Sequence, residues 1–367
     1  MRIVIAPDSF KESLDAVFVA KCIENGFREV FPNAEYVALP LADGGEGTVD
    51  VLLQGLAGKK RVTRVEGPLG ELVNAEWAML EPSTRTSKKT ALIEIAAASG
   101  LDLLTPEQRD PLMASSYGTG QLILEAMQQG AQTIILGLGG SATNDGGAGI
   151  VQALAGKLLN SKGQELSRGG AALSELASID LADIDSRCTD IELIVACDVD
   201  NPLCGDNGAS HIFGPQKGAT PEQVLMLDKA LAHFAQVSES QGCVEGKQSI
   251  YERTGYGAAG GTPMGLSLLF NMQIKPGIEM VLDVLQADEI FKGADLVITG
   301  EGQMDNQTLQ GKTPYGVAKR ASLHGIPTIG IAGSLGIQVE ALYGEMASLF
   351  GPNVLPSPLN KFCKKPN

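Results

Sequence analysis

The residues best suited to chemistry gather in short segments that each follow an apolar run. They are Asp8-Ser9-Phe10-Lys11, Asp43-Gly44-Gly45-Glu46, Gly139-Gly140-Ser141-Ala142-Thr143-Asn144-Asp145, Asp198-Val199-Asp200, Gly300-Glu301-Gly302 and Gly333-Ser334. Glycines, carboxylates and hydroxyls recur among them. In open α/β sheets ligands bind beyond the carboxyl ends of the strands, so these segments together point to one polar cleft. The 139–149 segment is the best phosphate cradle. Its glycines free backbone N–H groups to face an anion, and the following helix adds its positive end. No Gly-Lys-Ser/Thr closes it, so it is not a Walker loop. The plainer alternative is a glycine-rich start to a helix, with no ligand.

Asp198 and Asp200 stand two residues apart at a strand end and are expected on one side of the sheet. Paired carboxylates there suit Mg²⁺ held with substrate phosphates, or one base plus one metal ligand. Capping of the following turn is the alternative. Asp8, Asp43 and Glu301 are candidates of the same kind. Lys11, Lys217 and Lys312 are the basic residues nearest these segments, suited to a phosphate or a substrate carboxylate. Of the three histidines, His211, His233 and His324, the last two read as structural or surface residues. No Ser-His-Asp order with a nucleophile elbow emerges. What remains is positioning and charge neutralisation with one carboxylate as base, which is what phosphoryl transfer to a hydroxyl requires.

Two look-alikes are set aside. Gly311-Lys312-Thr313 resembles the end of a P-loop, but Asn306 stands where the first Walker glycine belongs. Gly255-Tyr256-Gly257-Ala258-Ala259-Gly260 matches G-x-G-x-x-G, yet it follows a polar stretch rather than a strand. It reads as a flexible loop feeding a helix near 262–270.

The elements that must position these residues alternate between short apolar runs and helical patterns, the sign of a mostly parallel α/β sheet. Strands are expected at Arg2–Ala6, Glu35–Leu39, Thr133–Gly137, Glu192–Cys197, Asp295–Thr299 and Thr328–Ala332. Residues 61–66, 72–80 and 91–96 read as a more antiparallel section. Leu14, Phe18, Cys22, Ile23, Phe27 and Val30 recur at helical spacing. Further helices are expected at 118–130, 147–158 and 221–239, with Thr220 as N-cap and Pro221 in the first turn. Another opens at Thr313-Pro314. The N- and C-terminal βα units look most alike. The expected fold is therefore two α/β domains. One is a doubly wound parallel sheet built from both chain ends (1–60 plus 286–367), and the other is an inserted mixed α/β domain (61–285).

The 367 residues carry 43 acidic and 28 basic side chains, a net charge of −15. Duplex nucleic acid and anionic membranes call for a basic face, so neither is expected as a partner. An anionic small substrate remains compatible with a locally basic pocket. The six cysteines form no C-x-x-C pair, which favours free thiols in a reducing cytoplasm over zinc or redox motifs. No secretory signal and no apolar stretch of about 18 residues is visible.

Long stretches now become informative together. IVIAPDSFKESL (3–14), LADGGEGT (41–48), IEIAAASGL (93–101), SSYGTG (115–120) and ILGLGGSATNDGGAG (135–149) are followed by ACDVDNPLCG (196–205), FGPQKGAT (213–220), GAAGG (257–261), KPGIEMVL (275–282) and ADLVITGEGQMDNQTLQGKTP (294–314). In content and order the chain resembles the bacterial glycerate kinases of the first type. The resemblance implies two α/β domains with the active site in the cleft between them, transfer of the ATP γ-phosphate to D-glycerate, and Mg²⁺ as the metal. It favours 2-phosphoglycerate as product. On it, Asp198 is the expected base or metal carboxylate, with Asp200 in support, and Lys11 joins them as a catalytic candidate. Asp8, Ser9, Asp43, Gly44, Gly45, Glu46, Gly139, Gly140, Ser141, Thr143, Asn144, Asp145, Lys217 and Lys312 are the expected substrate- and phosphate-binding residues. Glu301 is a second metal candidate.

After Gly336 the sequence departs from the family pattern of a short strand, a Pro-Gly-Pro turn and a long terminal helix. Its last residues, SLFGPNVLPSPLNKFCKKPN, show no helical period, as expected of a shortened or frame-shifted end. A non-catalytic or weakly active relative that binds a sugar acid or nucleotide is the alternative this end allows.

Overall fold

The computed structural model describes residues 1–11, 13–43, 47–82, 87–244 and 249–351. Gly44, Gly45, Glu46 and the segment from 352 onward, all named above, lie outside the described residues. In chain order the strands are β1 (Arg2–Pro7), β2 (Glu35–Ala38), β3 (Gly58–Glu66), β4 (Leu72–Leu80), β5 (Thr90–Glu94), β6 (Thr133–Gly137), β7 (Lys157–Leu159), β8 (Ser178–Asp180), β9 (Glu192–Ala196), β10 (Met272–Lys275), β11 (Leu296–Met304), β12 (Thr328–Leu335) and β13 (Ser348–Phe350). The chain forms two compact units: Met1–Leu56 with the chain from Pro276 onward, and Ala57–Lys275.

The first unit is built on an all-parallel sheet of order β13-β12-β11-β1-β2. Parallel strands covered on both faces read as continuous apolar runs, and Ile3, Val4, Ile5 and Ala6 of β1 are fully buried. Ile3 and Ile5 pack with Ala20 of helix Ala16–Val30 and Ile298 of β11. The sequence places the boundary with the second unit near 285/286, and the structure places it at 275/276. The reason is helix Gly277–Val284, which packs on helix Thr313–Ser322. A Cβ on Gly316 would lie 2.6 Å from Ile278, so the two helices meet at a side-chain-free point. Arg320 binds Asp283 and Asp288 across the same contact.

Two expectations change here. The sequence predicts that β11 and β12 end at Thr299 and Ala332, with functional loops beyond. Both continue, because Glu301 pairs with Ala332, Gln303 with Ser334 and Met304 with Leu335. Gly300, Glu301, Gly333 and Ser334 are therefore strand residues, held by a ladder rather than by a loop.

The second unit is a six-stranded mixed sheet, β10-β9-β6-β5-β4-β3, with a small β7-β8 ribbon. β10, β9, β6 and β5 are parallel; β4 pairs antiparallel with β5, and β3 antiparallel with β4. The edge strand β3 carries Lys59, Lys60, Arg61 and Arg64, charges of the kind that discourage edge-to-edge pairing. Helix Pro221–Ser240 starts as its sequence predicts. Thr220 Oγ1 accepts from Gln223 N at 3.3 Å, and Gln223 Oε1 accepts from Thr220 N at 2.8 Å. The helix expected at 147–158 ends at Ala153 instead. Ala155 turns into the left-handed region (φ 70°), and the chain enters β7, paired with β8.

The G-x-G-x-x-G segment is also not the flexible loop expected. Residues 255–266 are buried, and Ala259, Gly260 and Gly261 have φ of 48°, 65° and 87°. Gly260 lies against the 139–149 segment: its carbonyl accepts from Gly146 N at 2.9 Å, and a Cβ on it would sit 2.0 Å from the Thr143 carbonyl. Gly260→Ala is therefore expected to destabilise the chain by more than the about 1–2 kcal/mol of a left-handed backbone alone. Thermal unfolding measures this; an unchanged Tm would show that the two segments part freely.

Candidate functional site

In the second unit, three segments beyond the carboxyl ends of β6 and β9 pack together: 139–147, 198–205 and 255–261. Gly257 N donates to the Asn201 carbonyl at 2.8 Å, and Gly260 locks to Gly146 as described. Within 139–147 only Gly139 and Gly140 are exposed; Ser141 through Gly147 are buried. Gly140 has φ 72°, which glycine adopts without steric penalty.

Asp145 is completely buried, and both of its oxygens are occupied. Oδ2 accepts from Ser116 N (2.8 Å), Ser116 Oγ (2.9 Å) and Gly149 N (3.2 Å), and Oδ1 accepts from Gly147 N (3.1 Å). Ser116 Oγ also accepts from Ile150 N at 3.2 Å. Burial pushes the Asp145 carboxyl upward from its ordinary range, against these four donors. This corrects an expectation. The anion at the start of helix Ala148–Ala153 is the protein's own Asp145, so the helix does not offer its positive end to a ligand. Asn144 and Thr143 are likewise inside. Asn144 Nδ2 donates to Ser210 Oγ at 2.9 Å, while Asn144 Oδ1 and Thr143 Oγ1 are buried without a hydrogen-bond partner.

Lys217, at the end of the 3₁₀ turn Pro215–Lys217, is 2% exposed. Its Nζ donates to Ser141 Oγ at 2.9 Å and to the Thr143 carbonyl at 2.7 Å. Burial pulls its pKa down to about 7, although the Asp145 charge acts in the opposite direction. Expected to meet a phosphate or a substrate carboxylate, Lys217 is bonded within the protein as a strap on the loop. Asp198 and Asp200, by contrast, are both exposed after β9, and both push the neighbouring Cys197 thiol upward, although burial is the larger cause.

In the first unit, the β1–β11 register pairs Pro7 with Gly300, which sets Asp8 beside Glu301. Asp8 is buried; its Oδ2 accepts from Thr313 Oγ1 at 2.6 Å and its Oδ1 from Ser9 N at 2.6 Å. Burial raises its pKa, with Asp43 adding repulsion. Glu301 Oε1 accepts from Thr308 Oγ1 at 2.7 Å, and Oε2 lies 3.6 Å from Lys312 Nζ. Burial lifts the Glu301 carboxyl to about 7, helped by Asp8 and Asp305 and opposed by Thr308 and Lys312. Ser9 is half-buried and Lys11 exposed. Thr308 and Ser116 both hold a candidate carboxylate and escaped the sequence reading, because a lone hydroxyl carries no spacing signal. Among the described residues no group of three or more His, Cys, Asp or Glu is placed to hold a metal ion.

Two outcomes follow. Asp145→Asn turns an amide N–H toward donors that need an acceptor, and about 1–3 kcal/mol is expected for each buried donor left unpaired. Chemical denaturation reads this, and an unaltered midpoint would mean that the carboxylate is dispensable. Glu301 holds its proton in the folded state up to about pH 7, above its unfolded value. Its contribution to stability is thus complete below the unfolded pKa and lost as pH rises through about 7. Glu301→Gln should raise Tm at pH 8 while changing it little at pH 4; parallel Tm–pH curves would remove this account.

Comparison with known proteins covers almost the whole chain. The glycerate kinase family matches residues 3–367. Glycerate 2-kinase of Escherichia coli K12 is 52% identical over 335 residues, 91% of this chain and 86% of that protein. Glycerate kinase of Halalkalibacterium halodurans is 50% identical over 341 residues, 93% of this chain and 87% of that protein. A crystal structure from Salmonella typhimurium LT2, assigned provisionally as glycerate kinase 2, superposes with a TM-score of 0.85 at 46% identity, covering 98% of this chain and 92% of that one. By the family match over residues 3–367 and by these relatives, this chain belongs to the glycerate kinase family.

Proposed function

We propose that this chain is an ATP-dependent glycerate kinase that transfers the γ-phosphoryl group of ATP to the 2-hydroxyl of D-glycerate. The observation that carries the reading is roughly half identity to named glycerate kinases over more than nine-tenths of the chain. The name of the Escherichia coli relative favours the 2-hydroxyl. In the reaction the bond between the γ-phosphorus and the bridging oxygen of ADP breaks, and a bond to the glycerate oxygen forms. The hydroxyl proton passes to a carboxylate, for which exposed Asp198 is the candidate, with Asp200 beside it. Gly139 and Gly140 are the accessible part of the glycine-rich segment and, with the adjoining buried Ser141, suit a phosphate or the glycerate carboxylate. Lys11, Ser9, Asp43 and Lys312 are the candidates of the first unit. A loose phosphoryl-transfer transition state asks chiefly for position and charge, so a moderate base suffices.

Asp8 and Glu301 fit a divalent cation in part. Asp8 adds repulsion to Glu301, and Asp43 to Asp8, which a cation would relieve, and Mg²⁺ commonly takes one or two carboxylates together with substrate phosphates. Glu301 would hold it, and Mg²⁺ so bound supplies neutralising charge for the transferring group. The absence of an all-protein cage among the described residues suits a metal delivered with the nucleotide. The five described cysteines are free, and no described helix is long and apolar enough to cross a membrane. We place the enzyme in the cytoplasm on its cysteine pattern and substrates.

Coupled ADP release with MgATP and D-glycerate tests the reading, with L-glycerate, tartronate and no acceptor as controls. D-glycerate-dependent release is expected; binding without release would favour the weakly active alternative. Asp198→Asn should lower kcat more than about tenfold with the fold intact, since loss of a general base typically costs 10²–10⁴. Near-normal turnover would remove Asp198 from the mechanism. Activity should stop in EDTA and return with Mg²⁺, and turnover persisting in chelator would contradict the metal assignment.

A further inference from the structure

We propose that Lys217 is a positioning residue that acts through Ser141: by donating to Ser141 Oγ it leaves the serine's own proton free to bind an oxyanion of substrate beside Gly139 and Gly140. The inference rests on the kinase reading and assigns one donor within it. An ammonium has three N–H groups and no acceptor, so it fixes the sense of every hydrogen bond it makes. Lys217 Nζ lies 2.9 Å from Ser141 Oγ and 2.7 Å from the Thr143 carbonyl. A serine hydroxyl whose oxygen is taken as acceptor still has one O–H to give. The oxygen's inner side is filled by Lys217, and the chain next to Ser141 on the N-terminal side is the exposed pair Gly139-Gly140. A donor at the open end of a glycine-rich turn suits a phosphate or carboxylate oxygen. Lys217 is 2% and Ser141 5% exposed, but Ser141 is the one that adjoins the exposed Gly139-Gly140 pair, which favours action through Ser141 over direct contact by Lys217.

Loss of the Lys217 proton reverses the arrangement. The neutral amine has a lone pair and can accept from Ser141, which turns the hydroxyl inward and removes the outward donor. The charged group that acts on the amine is Asp145 of the Gly139–Asp145 segment; Arg109 donates to the carbonyl of the preceding Gln216, and His211 on the adjoining helix lies 3.6 Å from Asp228. Burial sets the transition near pH 7.

The test is a double-mutant cycle on the full chain, read by KM and kcat for ATP and for D-glycerate. Ser141→Ala and Lys217→Met should each raise KM for the same substrate about tenfold, with kcat changed less than threefold. The double variant should be no worse than either single one, and Ser141→Thr, which keeps the hydroxyl, should raise KM less than Ser141→Ala. Wild-type affinity should fall between pH 6 and 8, and Ser141→Ala should lack that fall. Multiplying effects in the double variant would put Lys217 on the substrate and overturn the proposal, as would unchanged KM in Lys217→Met. If Lys217→Met does not fold, the pH series on the wild type and Ser141→Ala decides: equal slopes overturn it. A wild type that releases no ADP would remove the kinase reading alone, and calorimetric titration of ATP and D-glycerate against the same variants would then decide the inference.

Discussion

A buried carboxylate with four donors around it is the constraint on which the second unit's site depends. Asp145 ties the start of helix Ala148–Ala153 to Ser116 at the head of helix Tyr117–Gln128. A charge of this kind is costly to bury unless fully hydrogen-bonded, and the sequence supplies the bonds from two separate segments. Once Asp145 is fixed, the five residues before it have little freedom. Thr143 is enclosed between Gly260 and Lys217, and Asn144 between Gly170 and Ser210. Only the two leading glycines reach solvent. The helix positive end is thus an internal anchor, and a ligand at this loop must be met by its glycine end.

The first unit solves a related problem with the opposite chemistry. There the parallel register sets two carboxylates side by side, so charge is concentrated rather than neutralised. Thr313 and Thr308 each give one hydroxyl, and Lys312 stands 3.6 Å from Glu301. Burial and repulsion together raise both carboxyls. The Glu301 pKa is thereby raised to about 7, whereas an ordinary surface carboxylate gives up its proton well below that. Asp145 accepts four hydrogen bonds, whereas among the described residues Asp8 accepts two and Glu301 one.

Much of this architecture is legible in the sequence, for reasons that particular elements make clear. β6 is predicted to the residue because a fully buried parallel strand is a bare apolar run, TIILG. Helix Pro221–Ser240 is legible because its capping box is local. The lengths of β11 and β12 are not, since Gly300–Met304 and Gly333–Leu335 look like loop and become strand only through pairing with one another. The same limit applies to the site. Glycines, carboxylates and lysines announce a polar segment, but type and spacing do not say whether a side chain faces ligand or core. That is decided by partners distant in sequence: Ser116 for Asp145, Lys217 for Ser141, Thr313 for Asp8.

The consequence is a division of labour that a motif alone hides. Within Gly139–Asp145 the chemically conspicuous residues, Asp145, Asn144 and Thr143, are internal, whereas the accessible ones are two glycines with no side chain. An exposed glycine backbone can approach an anion closely only if its neighbours hold it still, because an unrestrained glycine turn would lose in ordering entropy what it gains in contact. The buried polar residues provide that restraint. The exposed surface of the loop is therefore shaped by side chains that do not reach it, and substitutions in its interior act on that surface and on folding through the same bonds.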